Sequence, residues 1–402
     1  MTKTTKMTLS RRKFLAASVL AAATTTLIKP EAVAGSAANS VLELGLIGCG
    51  GRGEWITDVF KQNPNYRIVA VADYFQDRVD AVGNKTGVPA DRRYTTLSGY
   101  KRLLESKLDV VVIETPPSFH PVQAAAAVEA GKHVFLAKPI AVDVPGCATI
   151  EESGKKASEK KLAFLVDFQT RANQFFREAI KRVHAGDLGE LVSLYSYYPW
   201  SAGGHDTELT GPESYLRNWY QSMELSGDCI VEQDIHTLDV ATWIVGKNPL
   251  WAAGTGGRKI RKHGDIHDHF NITYGFPGDV SLQFASVKFI PGVKDEIVCR
   301  AWGTGGALET NYFGDVNIRG NKPYDGGNCA DNYWAGTVTN AKEFAEAITN
   351  GDFSNPTVAP AVRSNLTCIL GRDAVRLRKL LTWDEMMQTG EHLKMKLDGL
   401  KS

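Results

Sequence analysis

Between residues 41 and 166, short runs of consecutive apolar positions alternate with longer segments whose apolar residues recur at helical spacing. The runs lie at 41–47, 66–72, near Tyr94, and at 109–113, 133–136 and 162–166. Strands apolar on both faces belong to a parallel sheet sandwiched by helices, and the alternation supplies those helices, among them an Ala-rich one over 122–130 stopped by Gly131. From about Asp167 the pattern changes. It predicts a helix, a strand over 191–198, a loop and a second helix, then alternating strands over 249–258, 268–276, 279–289, 295–303 and 305–319. Helices over 335–350 and 359–380 follow. The strands imply a large, mainly antiparallel sheet with one face covered by helices; its other face suits a homodimer or homotetramer interface. The fold class is therefore α/β: a parallel-sheet domain over 35–166, then an α+β domain over 167–402 for substrate binding and oligomerisation.

Length agrees with two domains, since 402 residues exceed what one core usually accommodates. A net charge of +1 gives no electrostatic reason to expect nucleic acid or lipid as partner. The six cysteines, Cys49, Cys147, Cys229, Cys299, Cys329 and Cys368, are scattered without C-x-x-C spacing and signal neither a zinc knuckle nor a disulfide framework. Residues 1–34 read differently. Ser10-Arg11-Arg12-Lys13-Phe14-Leu15 opens a short Ala-rich stretch that ends before Ala32-Val33-Ala34, the pattern of a twin-arginine export signal with a small-residue cleavage site. The mature chain is expected to be periplasmic or otherwise exported, folded before export, and to have no membrane partner after cleavage.

The first apolar run breaks into Gly48-Cys49-Gly50-Gly51-Arg52-Gly53, a strand running into a G-x-G-x-x-G turn. Such glycines permit the tight turn, the approach of a pyrophosphate and close packing of the next helix, whose N-terminal N–H groups face the anion. Asp73 closes the second run where a carboxylate accepts from the adenosine ribose hydroxyls and disfavours a 2′-phosphate. The expected cofactor is thus NAD rather than NADP, bound by Gly48, Gly50, Gly51, Arg52, Gly53 and Asp73. Ligands of these sheets sit at the carboxyl ends of the strands, which places Glu114, Thr115, Pro116, Pro117 and His120, and Ala137, Lys138 and Pro139, beside the cofactor.

The strand-glycine fingerprint, Thr115-Pro116-Pro117 with His120, Gly131-Lys132-His133-Val134 leading to Lys138-Pro139, and Glu232-Gln233-Asp234-Ile235-His236 together resemble the Gfo/Idh/MocA oxidoreductases, the family of glucose-fructose oxidoreductase and inositol dehydrogenase. The resemblance covers nearly the whole mature chain. It implies a Rossmann domain, a C-terminal sheet domain, a nicotinamide cofactor and a carbohydrate substrate. It also implies a substrate-cleft arginine at Arg171 and a cofactor contact at Gln169. Two positions depart from the family pattern: Ala137 stands where Glu precedes Lys-Pro, and Glu232 where Asp is frequent.

Oxidising a secondary alcohol needs a base and a cation beside the nicotinamide, and Lys138 and His236 are the candidates, with Glu232 as third member. Lys138 either accepts the proton, its pKa lowered by burial beside a cation, or polarises the oxygen. Glu232 and His236 are four apart at the start of an expected helix, hence on one face, with Asp239 three further on. The same pair could ligate a metal with His267, Asp268 or His269, though no third ligand stands in fixed spacing, and no metal site is assigned. Tyr195, Tyr197, Tyr198, Trp200, Tyr215, Trp219 and Tyr220 flank Gly203-Gly204-His205; Trp219 and Tyr220 are assigned to the substrate, the rest divided between cleft and sheet packing. Gly254 to Gly257 reads as a strand-end turn, since no helix follows it.

Together these readings give an exported, NAD-dependent oxidoreductase acting on a secondary hydroxyl of a sugar, polyol or glycoside, with tightly held cofactor. The alternatives are a redox-neutral glycosidase working by oxidation and elimination, and a non-redox carbohydrate-binding or metal-dependent protein.

Overall fold

The computed structural model describes residues 41–201 and 206–402; the expected export signal and the Gly203-Gly204-His205 loop lie outside them. Strands β1 (Leu42–Ile47), β2 (Tyr66–Ala72), β3 (Arg93–Tyr94), β4 (Val110–Ile113), β5 (His133–Ala137) and β6 (Phe164–Asp167) form one parallel sheet ordered β3-β2-β1-β4-β5-β6. The apolar runs end where these strands end because β4 and the inner part of β5 are buried on both faces. The strand order reverses between β1 and β4, which opens a crevice at their carboxyl ends. Around the sheet lie α1 (Gly51–Gln62), α2 (Gln76–Thr86), α3 (Gly99–Glu105), α4 (His120–Glu129) and α5 (Val144–Glu159).

After β6 come α6 (Gln169–Ala172), α7 (Gln174–His184), β7 (Leu191–Trp200), α8 (Pro212–Arg217), α9 (Met223–Ser226), α10 (Cys229–Glu232) and α11 (Ile235–Val245). Then follow β8 (Trp251–Gly257), β9 (His269–Phe276), β10 (Val280–Lys288), β11 (Val298–Gly303), β12 (Gly306–Asn311), β13 (Asp315–Gly320) and β14 (Tyr324–Asn328). The chain closes with α12 (Asn332–Asn350), α13 (Val358–Leu377), β15 (Leu381–Thr382) and α14 (Trp383–Thr389). The second sheet has nine strands ordered β14-β13-β12-β11-β7-β10-β9-β8-β15; β7 and β10 run parallel and the other neighbours antiparallel.

Three expectations change. The strand expected over 305–319 is two strands, β12 and β13, pairing Gly306 with Gly320. Strands β14 and β15 carry too few apolar residues to announce themselves. The glycines from Gly254 to Gly257 lie inside β8, not in a turn: a Cβ on Gly254 would sit 2.3 Å from the Asn271 carbonyl oxygen, so their role is close pairing with β9.

Helices α11 and α13 cover one face of the large sheet, and α13 also packs on α5 and β6, so one apolar core runs through both sheets. Helix α12 returns to the first sheet, where Ala341, Phe344 and Ala345 join Val71, Val112 and Phe135 in the second core. The Tyr66 hydroxyl donates to the Ala341 carbonyl at 2.7 Å. All six cysteines are buried and unpaired. Among the described residues no helix is long and apolar enough to cross a membrane.

Candidate active site

Strand β1 ends at Ile47 and the chain turns through Gly48, Cys49 and Gly50 into α1. Gly48 has a φ of 95°, and a Cβ on Gly53 would fall 1.9 Å from the Gly48 oxygen; neither position accepts a side chain. Gly50 caps α1 without a side-chain hydrogen bond, and a Cβ on Gly51 would have nothing within 4 Å. The first N–H groups of α1 have no carbonyl partner within the helix and are the donors a phosphate would meet. Asp73 accepts from the Cys49 N–H at 2.7 Å and the Phe75 N–H at 2.9 Å, so it braces the glycine turn. Burial raises its carboxyl above the ordinary value.

Two cavities meet at Thr115. The smaller, about 60 Å³, lies by Asp73, Tyr74, Phe75, Arg78 and Leu97. The larger, about 210 Å³, is walled by Arg52, Glu114, Pro117, Lys138 and Gln169 on the sheet side, by Trp219, Glu232 and His236 opposite, and by Tyr333 of α12. Ile47 and Asp73, at the ends of β1 and β2, line the smaller cavity and Arg52 of α1 the larger, which fits an extended dinucleotide: a ribose beside Asp73, phosphates at α1, the ring beside Lys138.

Lys138 directly follows β5 and is joined to Pro139 by a cis peptide bond. Its Nζ donates to the Glu232 carbonyl at 2.6 Å and lies 3.3 Å from Glu232 Oε1. Glu232 and His236 do meet at the cavity, but not on one helix: Glu232 ends α10, His236 lies in the first turn of α11, and Gln233 and Asp234 separate them. His236 Nδ1 is buried without a partner. Burial, then the charges of Lys138, Arg52 and Lys288, hold this imidazole well below its ordinary value, so it is neutral and an available acceptor. Beneath it Lys288 pairs with Asp234 at 2.6 Å, both side chains fully buried, and donates to the Tyr198 carbonyl at 3.0 Å.

Arg52 runs along the cavity rather than toward the turn. Its Nη2 donates to Asp167 at 2.6 Å and Thr337 at 3.2 Å, and the guanidinium lies 4.2 Å from the Trp55 ring centre and 4.9 Å from that of Tyr333. Gln169 joins the group, donating to Asp167 at 2.9 Å and accepting from the Tyr312 hydroxyl at 3.2 Å. Glu114 completes it. Its carboxyl is wholly buried, 3.6 Å from Arg52 Nε and without a hydrogen bond; burial pushes it up to about 7, against the pull of Arg52. The carboxyl-end rule had already placed Glu114 here, and Asp167, which ends β6, falls under the same rule. Thr337 and Tyr333 arrive on α12 and carry no local signal.

Five candidates stand elsewhere. His120 is buried, its ring nitrogens 2.8 Å and 2.7 Å from the Pro139 and Thr115 carbonyls, so it braces two loops behind the cavity. Arg171 binds both oxygens of Asp239, at 2.8–3.0 Å, under the Trp243 ring, because α6 turns it toward α11. Asp239 consequently faces Arg171 and Ser364, not His236. Tyr220 buries its hydroxyl away from the cavity that Trp219 lines. Asp268 is occupied by the N–H groups of Lys259, Ile260 and Arg261 and by His269. Among the described residues no three His, Cys, Asp or Glu side chains are grouped to hold a metal ion.

Residues 42–168 match the family model for an oxidoreductase family with an NAD-binding Rossmann fold, and residues 176–309 match that for the GFO/IDH/MocA C-terminal domain. An inositol 2-dehydrogenase of Rhizobium meliloti is 27% identical over 61% of this chain and 66% of its own length. A levoglucosan dehydrogenase of Pseudarthrobacter phenanthrenivorans is 24% identical over 67% of this chain and 74% of its own. The solved structure of a levoglucosan dehydrogenase with NADH and levoglucosan superposes with a TM-score of 0.70 at 18% identity, covering 85% of this chain and 99% of that one, a likeness of fold.

Proposed function

The chain belongs to the GFO/IDH/MocA oxidoreductases and carries their NAD-binding Rossmann domain, and from that premise we propose that it oxidises a secondary hydroxyl of a sugar, polyol or glycoside. The carrying observation is the convergence of Lys138, Glu232 and His236 on a cavity at the carboxyl ends of β4, β5 and β6 that Arg52 of α1 also lines. The residues present suit NAD: the turn excludes side chains, α1 offers free N–H groups, and Asp73 stands where a ribose diol would lie. NAD, when bound, supplies a hydride acceptor at C4 of the nicotinamide.

The protein's part is then to orient the alcohol and take its proton. Lys138, held by Glu232, presents a cation to the hydroxyl oxygen and stabilises charge building there. His236, kept neutral by burial and three nearby cations, is the group placed to accept the proton as charge builds on the alcohol oxygen. Trp219 offers an apolar face to sugar C–H groups. The printed names of the relatives, an inositol and a levoglucosan dehydrogenase, support a cyclic polyol or sugar as the substrate class.

The reading extends to an exported enzyme that retains its nucleotide and works as a homo-oligomer, supported by the twin-arginine pattern at Arg11 and Arg12 and by the breadth of the large sheet. Turnover of a sugar panel with an added electron acceptor tests the chemistry. Acceptor-dependent oxidation is expected; aglycone release without acceptor would overturn it in favour of oxidation and elimination.

A further inference from the structure

Chain from far away in sequence reaches the rim of the cavity beside Asp73. After α14, His392 Nδ1 lies 2.9 Å from Asp143 Oδ2, and the Leu393 N–H donates to the same oxygen at 2.8 Å. The segment then runs with Leu393, Met395 and Leu397 half-buried and Lys394, Lys396 and Asp398 exposed, an alternation that lays one edge on the protein. Lys396 pairs with Glu224 at 2.6 Å. At its end the Lys401 carbonyl accepts from the Leu97 N–H at 3.0 Å, and the Lys401 N–H donates to the Tyr74 hydroxyl at 3.2 Å. Leu97 and Tyr74 both line the smaller cavity beside Asp73.

Helix α8 closes the same cavity from another side. Arg217 donates to both oxygens of Asp77, at 3.0 Å each, and its guanidinium lies 3.9 Å from the Phe75 ring centre. Leu216 lines the cavity, and the Tyr74 hydroxyl donates to Glu213 at 3.0 Å, so Tyr74 links α8 to the strap.

We propose that residues 394–401, together with α8, form a latch over the adenosine half of the cofactor site and set the rate at which the nucleotide leaves. This deepens the reading of a retained cofactor and rests on it. The latch is built to open separately from the fold. Its ion pairs are largely exposed and worth little each, Arg217 and Asp77 keeping 44% and 64% of their side-chain surface, and its backbone bonds join no sheet. Weak contacts in number slow exchange without preventing insertion.

The test is the release of bound NAD, followed in the full-length protein by chase with excess labelled NAD and mass spectrometry. A chain ending at Leu393 is expected to release NAD about tenfold faster, the loss of a few weak contacts together worth about 1.4 kcal/mol. Arg217→Asp is expected to speed release several-fold by placing like charges together, and Asp77→Arg added to it to restore slow release. High salt should speed release in the wild type and less so in the shortened chain. If the shortened chain and Arg217→Asp keep NAD as long as the full chain, the latch is overturned while retention stands. Rapid exchange by the full chain itself would remove both.

Discussion

At the scale of single residues, the site is defined by charges that have lost water. Lys138 is fixed by the carbonyl and carboxylate of Glu232, so its ammonium cannot swing away as a solvated lysine would. Lys138→Ala should lower kcat by about a thousandfold, in the range general acid–base groups supply, while NAD remains bound; full turnover in that variant would remove Lys138 from the chemistry. Glu114 gives a separate, thermodynamic expectation. Burial raises its carboxyl from 4.5 to about 7 despite Arg52, with Asp167 adding to the rise and Lys138 opposing it. A raised acid favours the folded state while protonated, so stability is complete below pH 4.5 and declines as pH climbs toward 7, by roughly 3 kcal/mol at most. Glu114→Gln should flatten that decline in nucleotide-free protein, read from urea midpoints at pH 5 and pH 8. Equal slopes in both proteins would refute it. The Glu114 type was visible in the sequence beside Thr115, but its burial under Arg52 was not, since Arg52 is turned there by Asp167 and Thr337.

Among elements, the same division recurs. The β1 turn into α1 was legible because two of its constraints are local: Gly48 has a positive φ, and the atoms that forbid a side chain at Gly53 belong to Gly48; only the clash of a Gly48 Cβ with the Glu114 and Thr115 backbone comes from afar. Gly53→Ala should therefore unseat the turn and abolish NAD uptake, measurable by calorimetric titration; unimpaired uptake would show the turn to be tolerant. The α10–α11 region was less legible. A four-residue spacing read as one helix, but Gln233 and Asp234 interrupt it, and Asp234 is drawn down to Lys288 on β10. That pair fixes the start of α11 under His236. Lys288→Met should cost about 3–5 kcal/mol by leaving Asp234 buried without its cation. Chemical denaturation would register it, and a loss below 1 kcal/mol would mean that the pair carries little of the helix position.

For the molecule as a whole, retention of nucleotide and export belong to one expectation. Protein recovered from the exported fraction with no cofactor added should yield near-stoichiometric NAD(H) on denaturation; an empty site there would contradict it. What the sequence determined by itself was whatever neighbouring residues decide. Apolar runs set the strands of the first sheet, local sterics the glycine turn, and the order of motifs the family. Only the tertiary structure decided what depends on partners distant in sequence. Arg171 turns to Asp239, His120 is enclosed by the Pro139 and Thr115 carbonyls, Arg52 packs against Trp55 and Tyr333, and Lys401 reaches Tyr74. The physical reason is range. Backbone sterics and hydrophobic period act over a few residues, whereas a buried charge takes whichever counter-charge the packing brings within about 3 Å, and no local pattern records that choice.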